Sequence, residues 1–130
     1  MEAAAPAPLA PTALLLVDIQ NGTCGPAGPT GSAGATPLAT LQHPPQPSQP
    51  PRPPGFDAHF QAAVLPRLEQ ALGHARSSGL EVIHTVIANL TADGRDRSLD
   101  YKRSGLGFAP GSWEAQVIAP LAPLADELVL

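Results

Sequence analysis

The chain is poor in the residues that build disulfide frameworks, metal cages and nucleic-acid surfaces. One of its 130 residues is cysteine, Cys24, which excludes an intramolecular disulfide and a zinc cage made of several cysteines. The chain has seven lysines and arginines and eleven aspartates and glutamates, which gives a formal net charge of -4. No basic surface is therefore expected for phosphate backbones or an anionic membrane. Nucleic acid and membranes are therefore not expected partners.

Aromatic residues and long apolar runs are also scarce. There are three phenylalanines, one tryptophan and one tyrosine. The longest apolar run, residues 13–17, is far shorter than the roughly 20 residues that a membrane-spanning helix needs. The first basic residue is Arg52, which argues against a secretory or transit signal. These features predict one cytoplasmic domain, preceded by a disordered Ala- and Pro-rich tail over residues 1–11.

Short apolar segments predict the strands of a parallel sheet. Residues 12–18 read Thr-Ala-Leu-Leu-Leu-Val-Asp, a continuous apolar run that is typical of a central strand buried on both faces. Residues 81–87 are rich in β-branched side chains and predict a second buried strand. Residues 127–130 begin a third strand, and because the sequence stops within it, the domain is expected to be incomplete.

The residues between the first two strands divide into an insertion and a helix. Residues 22–55 hold most of the 17 prolines and few large apolar side chains, which predicts a disordered insertion. A stripe of apolar residues at helical spacing then predicts a main helix over about residues 66–77, with Pro66 in its first turn and Gly79 after its end. A turn or short helix after Asp57 precedes it. Strand, helix and strand make one right-handed crossover.

The remaining segments predict where a site would lie. Residues 89–111 are polar and form a loop beyond the carboxyl end of the second strand, which is where open parallel sheets bind ligands. Residues 112–118 predict a short helix capped by Ser112, with Trp113 packed inward. The predicted fold class is α/β: a Rossmann-like doubly wound parallel sheet with helices on both faces, truncated to about its first three strands.

Asp18 is the leading candidate for a catalytic acid or base. It ends the first apolar strand, where a carboxylate is partly desolvated and lies at the ligand-binding edge of the sheet. A structural role, in which the carboxylate caps a loop or pairs with an arginine, explains its position equally well. From position alone, both interpretations stay open.

Several segments resemble the isochorismatase-like cysteine hydrolases. Residues 15–21, Leu-Leu-Val-Asp-Ile-Gln-Asn, are similar to that family's opening motif, and residues 79–85, Gly-Leu-Glu-Val-Ile-His-Thr, are similar to its next strand. The loop at residues 90–102 and the Gly-Ser-Trp-Glu-Ala segment at residues 111–115 resemble a subgroup of these hydrolases. The resemblance covers roughly residues 12–20 and 64–130.

The resemblance implies an Asp-Lys-Cys triad that cleaves a small amide or ureido C–N bond without a cofactor. Asp18 matches the acid that takes the proton from the cysteine thiol, and the thiolate then attacks the carbonyl. The family's lysine and cysteine would both follow Leu130, so the fragment itself is expected to be inactive. The alternative is a non-catalytic α/β binding or vestigial module.

Arg95 and Arg97 are the candidate substrate-binding residues, since both lie in the polar loop and arginine binds carboxylates with two parallel hydrogen bonds. Internal pairing with nearby aspartates would explain them equally well. The expected ligand is a small-molecule substrate, and a homo-oligomer is left open.

Four other residues are interpreted as structural or incidental. Cys24 has no basic neighbour in sequence, and Lys102 lies in a solvated loop. His59, even with His43 upstream, is read as a surface imidazole, so no metal site is predicted. His84, within the second strand, is predicted to be a hydrogen-bonded core histidine.

Overall fold

A computed structural model describes residues 12–25 and 53–130, and its centre is a parallel sheet. The strands are β1 (Ala13–Val17), β2 (Glu81–Thr85) and β3 (Leu128–Val129), arranged in the order β1-β2-β3 with both pairs parallel. The α/β class and a parallel sheet of three strands are thus confirmed. β2 ends two residues earlier than predicted, and β3 has two paired residues.

Helical segments surround one face and the carboxyl edge of this sheet. They are α1 (Asn21–Cys24), α2 (Phe56–His59), a π-helical turn (Phe60–Val64), α3 (Leu65–Ser77), α4 (Leu99–Ser104) and a 3-10 turn (Ala119–Leu121). The main helix, α3, starts with Pro66 in its first turn, as predicted. In the wide turn before it, the Leu65 N–H bonds to the Phe60 carbonyl, five residues back.

The hydrophobic core lies between α3 and one face of the sheet. Because side chains alternate along a strand, Leu16 of β1 and Val82 of β2 point to this side and are 4% and 3% exposed. Leu72 of α3 and Leu121 of the 3-10 turn close the core at 2% and 0% exposure. These side chains join one buried cluster, which fixes α3 on the sheet.

The opposite face of β1 is not covered by any described element. Leu15 and Val17, which alternate away from the core, are each 54% exposed. The prediction that the first strand is buried on both faces is therefore wrong for the described part of the chain. The continuous apolar run correctly indicated a strand with two apolar faces, but it carried no information on what covers each face.

Residues 112–118 do not form the predicted helix. Gly111 adopts a left-handed φ of 70°, and the carbonyls of Gln116 and Glu114 accept hydrogen bonds from Asn21 and Gly22 at 2.8 and 2.9 Å. Because these carbonyls bond to α1, they cannot accept the hydrogen bonds of a helix within residues 112–118. Contacts with α1 therefore outweigh the local helix propensity of this segment. Trp113 is 38% exposed, so its predicted inward packing is also wrong.

The predicted loop at residues 89–111 contains a short helix. α4 (Leu99–Ser104) begins at Ser98, whose side chain accepts a hydrogen bond from the Tyr101 N–H at 3.2 Å. It ends at Gly105, which adopts a left-handed φ of 75°. Both capping residues were visible in the sequence.

Two predicted segments include residues that the structure does not describe. The N-terminal tail, residues 1–11, and residues 26–52 of the predicted insertion lie outside the described residues. Across the described ranges, 12–25 and 53–130, no helix has the length and apolar character needed to cross a membrane.

Candidate active site

Asp18 lies where β1 ends and the chain turns into α1. Its backbone has a φ of 55°, a left-handed conformation that is uncommon for residues other than glycine but that aspartate tolerates. The Asp18 N–H donates to the Thr85 carbonyl at 2.9 Å, and the Asp18 carbonyl accepts from the Thr23 hydroxyl. These bonds fix the backbone of the turn on both sides of the residue.

The Asp18 carboxylate is half-buried and is oriented by one neighbour. The Thr85 hydroxyl donates to Asp18 Oδ1 at 3.2 Å. Thr85 is the last residue of β2 and lies opposite Val17 in the register of the two strands, so the sheet itself brings the hydroxyl to the carboxylate. This bond leaves the second carboxylate oxygen available to accept a proton.

The two amide residues after Asp18 have structural roles. The Gln20 side chain is fully buried; its Nε2 donates to the carbonyls of Ile87 and Glu114 at 2.9 and 3.0 Å, and its Oε1 accepts from the Ile87 N–H at 2.6 Å. Asn21 Nδ2 donates to the Trp113 carbonyl at 2.9 Å. These amides join the end of β1 to the segment after β2 and to the 113–116 turn.

Gly22 and Phe108 make the tightest contact beneath this site. A Cβ atom on Gly22 would lie 2.6 and 2.9 Å from two ring carbons of Phe108, which is too close for any real side chain. Phe108 is 4% exposed, so its ring has little room to retreat. Glycine is therefore required at the second position of α1, and the loop after β2 packs directly on the helix that follows Asp18.

The loop after β2 is held by its own hydrogen bonds. The Asn89 N–H donates to the Phe108 carbonyl at 2.8 Å and closes the base of the loop. The Asp96 carboxylate accepts from the N–H groups of Leu90 and Thr91 at 2.7 and 3.1 Å and from the Thr91 hydroxyl. The Thr91 hydroxyl, followed by the Leu90 N–H, lowers the pKa of Asp96 to about 2.

The two candidate arginines differ in position. Arg97 points into the loop, where its guanidinium donates to the carbonyls of Gly94 and Leu106 at 3.1 and 3.5 Å. Arg95 is exposed, and its backbone N–H donates to Asp93 Oδ1 at 3.2 Å. Among the described residues, no hydrogen bond joins either arginine to Asp18. The geometry therefore favours Arg95 over Arg97 as a ligand-binding group.

The remaining chemical candidates are Cys24, Lys102, His43 and His59. Cys24, at the end of α1, is half-buried, and the neighbouring Thr23 hydroxyl is 3.5 Å from its sulfur. Lys102 Nζ donates to the Arg95 carbonyl at 2.8 Å, so this cation also stabilises the loop. His43 is outside the described residues and His59 is exposed. Within residues 12–25 and 53–130, no group of three or more His, Cys, Asp or Glu side chains is arranged to hold a metal.

A cavity of about 640 Å³ opens beside α1, between α2 and the 3-10 turn. Its lining is mainly apolar and includes Leu65, Trp113 and Ile118, with Asn21, Asp57 and Gln61 as polar members. Asp18 is not among the lining residues, and neither candidate arginine is. The cavity and the Asp18 carboxylate are thus separate features.

A buried ion-pair cluster, missed in the sequence, joins α3 to β2 and β3. Arg76 binds Glu127 with two hydrogen bonds of 2.7 and 2.8 Å, and His84 Nε2 lies 3.2 Å from Glu127 Oε2. The Arg76 guanidinium, with the Leu124 N–H and His84, lowers the pKa of Glu127 to about 2. His84 is 1% exposed, which confirms the predicted core histidine. Its Nδ1 has no partner among the described residues.

Comparisons with known proteins agree with this architecture. A family model described as the isochorismatase domain matches residues 12–130. An isochorismatase family protein from Desulfovibrio vulgaris subsp. vulgaris str. Hildenborough superposes with a TM-score of 0.52 and 25% identity, over 91% of this chain and 50% of that protein. A cysteine hydrolase from Pseudomonas syringae pv. phaseolicola 1448A superposes with a TM-score of 0.56 and 20% identity, over 98% and 51%. The chain thus spans about half the length of these structures. A search of curated proteins found no match.

Proposed function

Because the chain belongs to the isochorismatase domain family, we propose that it carries the general base of a hydrolase acting on a small amide or ureido compound. Asp18 is that base. The lysine and the nucleophilic cysteine of an Asp-Lys-Cys triad are supplied by polypeptide other than residues 12–130. The chain alone does not turn over substrate.

One observation carries the proposal: Asp18 adopts a left-handed backbone conformation while its carboxylate stays accessible. Its φ of 55° is uncommon for residues other than glycine, and such conformations cluster at functional sites. Its neighbours Gln20 and Asn21 use their amide groups to bond the backbone. Within the described part of the chain, the Asp18 carboxylate accepts one hydrogen bond, from the Thr85 hydroxyl, so it is oriented without being fully satisfied.

The chemistry assigned to Asp18 is proton transfer. Its free carboxylate oxygen takes the thiol proton as the nucleophile ionises, and the thiolate adds to the substrate carbonyl. The C–N bond then breaks with the proton returned to the departing nitrogen, and water releases the acyl group. Cys24 is not this nucleophile, because the first lysine or arginine of the chain is Arg52, so the thiol has no basic neighbour in sequence. Arg95, which is exposed in the loop after β2, is our candidate for binding a substrate carboxylate.

The rival function is a non-catalytic α/β module in which Asp18 caps the turn. The two functions differ in what Asp18→Asn does to stability. If the residue serves catalysis, asparagine keeps the hydrogen bond from Thr85 and adopts a left-handed φ at least as readily, so the variant is as stable as the parent. If the charge serves the fold, the same change lowers the free energy of unfolding.

The test combines activity with stability. We would assay the 130-residue chain on nicotinamide, ureidoacrylate and carbamoyl compounds and compare urea unfolding of the parent and Asp18→Asn. We expect no turnover and a difference in unfolding free energy within about 0.5 kcal/mol. Turnover that requires Asp18 and survives Cys24→Ser would overturn the claim that the site is incomplete. A loss of more than about 1.5 kcal/mol in Asp18→Asn would favour the structural role.

A further inference from the structure

Asn21 and Gly22, the first two residues of α1, form a dipeptide that is chemically labile in proteins. Asparagine is among the thermolabile residues, and it reacts fastest when glycine follows it, because glycine has no Cβ atom to hinder attack by its own nitrogen. The other asparagine of the chain, Asn89, is followed by Leu90 and lacks this weakness. Asn21 is therefore the one position in the sequence with the pattern of spontaneous deamidation.

Packing requires this dipeptide at the start of α1. A Cβ atom at position 22 would overlap the ring of Phe108, which is buried, so only glycine fits there. At position 21 the side-chain Nδ2 donates to the Trp113 carbonyl at 2.9 Å, so the contact needs an amide donor. Aspartate has the same shape as asparagine but lacks that donor. The contacts of α1 therefore demand the labile pair.

The same contacts oppose the reaction. Deamidation begins when the Gly22 nitrogen attacks Cγ of Asn21, and the 113–116 turn binds both of these groups. The Gly22 N–H donates to the Glu114 carbonyl at 2.9 Å, and the Asn21 side chain donates to the Trp113 carbonyl. Both residues are buried and lie in a helical turn, whose backbone angles keep the nitrogen away from the side-chain carbon. Reaction therefore requires that α1 separate locally from the turn.

We propose that Asn21 is a deamidation site that the 113–116 turn keeps unreactive in the folded chain, and that deamidation releases this turn from α1. In the reaction the Gly22 nitrogen bonds to Cγ, the Cγ–Nδ2 bond breaks, and the proton of the attacking nitrogen leaves with the amide as ammonia. Water then opens the resulting succinimide ring. Attack of water at Cγ gives aspartate, and attack at the backbone carbonyl carbon gives isoaspartate.

The product cannot restore the contact with the turn. An ionised carboxylate at position 21 accepts hydrogen bonds only, so it would face the Trp113 carbonyl with no proton between the two oxygens. The new charge would also enter the wall of the cavity, which both Asn21 and Asp57 line. This proposal uses the contacts of α1 alone, so it stands or falls independently of the role of Asp18.

The rate of deamidation at Asn21, followed by peptide mass spectrometry, tests the protection. The 130-residue chain is incubated at pH 7 in buffer and in concentrated urea, with Asn89 in the same samples as the internal control. We expect Asn21 to react at least about ten-fold more slowly in buffer than in urea, because the reactive state is reached only through local opening. Asn89 should react slowly in both solutions. Equal rates at Asn21 in buffer and in urea would overturn the protection.

Two glycine variants locate the protection. Gly111→Ala and Gly79→Ala add the same methyl group at left-handed φ angles of 70° and 66°, with nothing nearby in either case. Gly111 directly precedes the segment that bonds to α1, whereas Gly79 follows α3. We expect Gly111→Ala to speed deamidation in buffer about three-fold or more and Gly79→Ala to leave it unchanged. Equal acceleration by both variants would contradict a local role for the turn.

The variant Asn21→Asp reproduces the product and tests the release of the turn. After correction for intrinsic exchange, we expect hydrogen exchange at the Gly22 amide, which bonds to Glu114, to become at least about ten-fold faster. The Asp18 amide, which bonds to Thr85, should keep its protection. Unchanged exchange at Gly22 would overturn the claim that deamidation releases the turn. Equal loss of protection at both amides would contradict it as well, because the change would then not be local.

Discussion

The ion pair of Arg76 and Glu127 gives the most quantitative prediction, for the variant Glu127→Gln. The substitution keeps the size and shape of the side chain but removes the charge that binds the two guanidinium nitrogens of Arg76. It also replaces the carboxylate, whose Oε2 accepts from the Leu124 N–H, with an amide that has only one acceptor oxygen. Because Glu127 directly precedes β3, we expect the loss to appear first as opening of β3 from β2.

The magnitude follows from the pKa of Glu127. Folding lowers it from 4.5 to about 2, and each pKa unit corresponds to about 1.4 kcal/mol, so the charged form stabilises the fold by up to about 3 kcal/mol. The Arg76 side chain is 29% exposed, and solvent screening reduces the figure to about 2 kcal/mol. The stabilisation is complete above pH 4.5 and is lost as the pH falls through 2, because the folded pKa is the lower one.

Native-state hydrogen exchange measures this opening without requiring global two-state unfolding. The reporters are the amides of Val86 and Leu130, which bond to Leu130 and His84 at 2.9 Å and join the two strands. At pH 7 we expect Glu127→Gln to lower their protection about 30-fold, the equivalent of 2 kcal/mol. The difference from the parent should shrink steadily between pH 4.5 and 2, after correction for intrinsic exchange.

Two controls separate the ion pair from general destabilisation. Asp126→Asn removes the same charge from the exposed adjacent residue and should change protection little. The Asp18 amide, which bonds to Thr85 on the other side of β2, should keep its protection in Glu127→Gln. If the protection lost at Val86 were the same at pH 2 as at pH 7, the electrostatic reasoning would be refuted.

Three further substitutions test contacts at α1 and in the loop after β2. Each has a matched control, and the readout is the urea midpoint unless another is named. Gly22→Ala should lower the free energy of unfolding by about 1–3 kcal/mol, because the added methyl group would overlap the Phe108 ring. The control Gly73→Ala, in α3, has nothing near the added methyl group and should not destabilise the protein. Gln20→Leu removes the acceptor of the Ile87 N–H and should lower the free energy of unfolding by about 1–3 kcal/mol. The control Gln70→Leu, at an exposed position on α3, should change it little. Arg97→Met should speed hydrogen exchange at the Asn89 amide that closes the loop, whereas Arg95→Met should not. Equal exchange rates in the two variants would contradict the structural role of Arg97.

Segments whose structure depends on neighbouring residues in sequence could be predicted. The apolar run ending at Asp18 gave the first strand and the position of the candidate acid, and Pro66 and Gly79 marked the ends of the main helix. Their signals are local: a strand needs consecutive apolar residues, proline suits a first turn, and glycine suits the residue after a helix. α4 had local signals too, in Ser98 and Gly105, and was predictable from them.

Features that depend on distant partners could not be predicted. Arg76 and Glu127 are 51 positions apart, and nothing near either residue indicates the other. The helix expected at residues 112–118 is replaced by bonds to Asn21 and Gly22, which local propensity cannot foresee. The two candidate arginines have the same local sequence context. They differ because loop carbonyls accept hydrogen bonds from Arg97. The position of Asp18 at the end of β1 could thus be predicted from the sequence, but its hydrogen bonds could not.

The exposed side of β1 and the candidate acid lie next to each other in the chain. Leu16 is buried beneath α3, the adjacent Val17 is 54% exposed on the opposite side of the strand, and Asp18 follows at the point where the strand ends. The register places Thr85 beside Val17, so the hydroxyl that orients the carboxylate belongs to the residue next to this exposed side chain. Because hydrogen bonds strengthen in a low-dielectric environment, burial of Val17 and Thr85 would hold the Asp18 carboxylate more firmly.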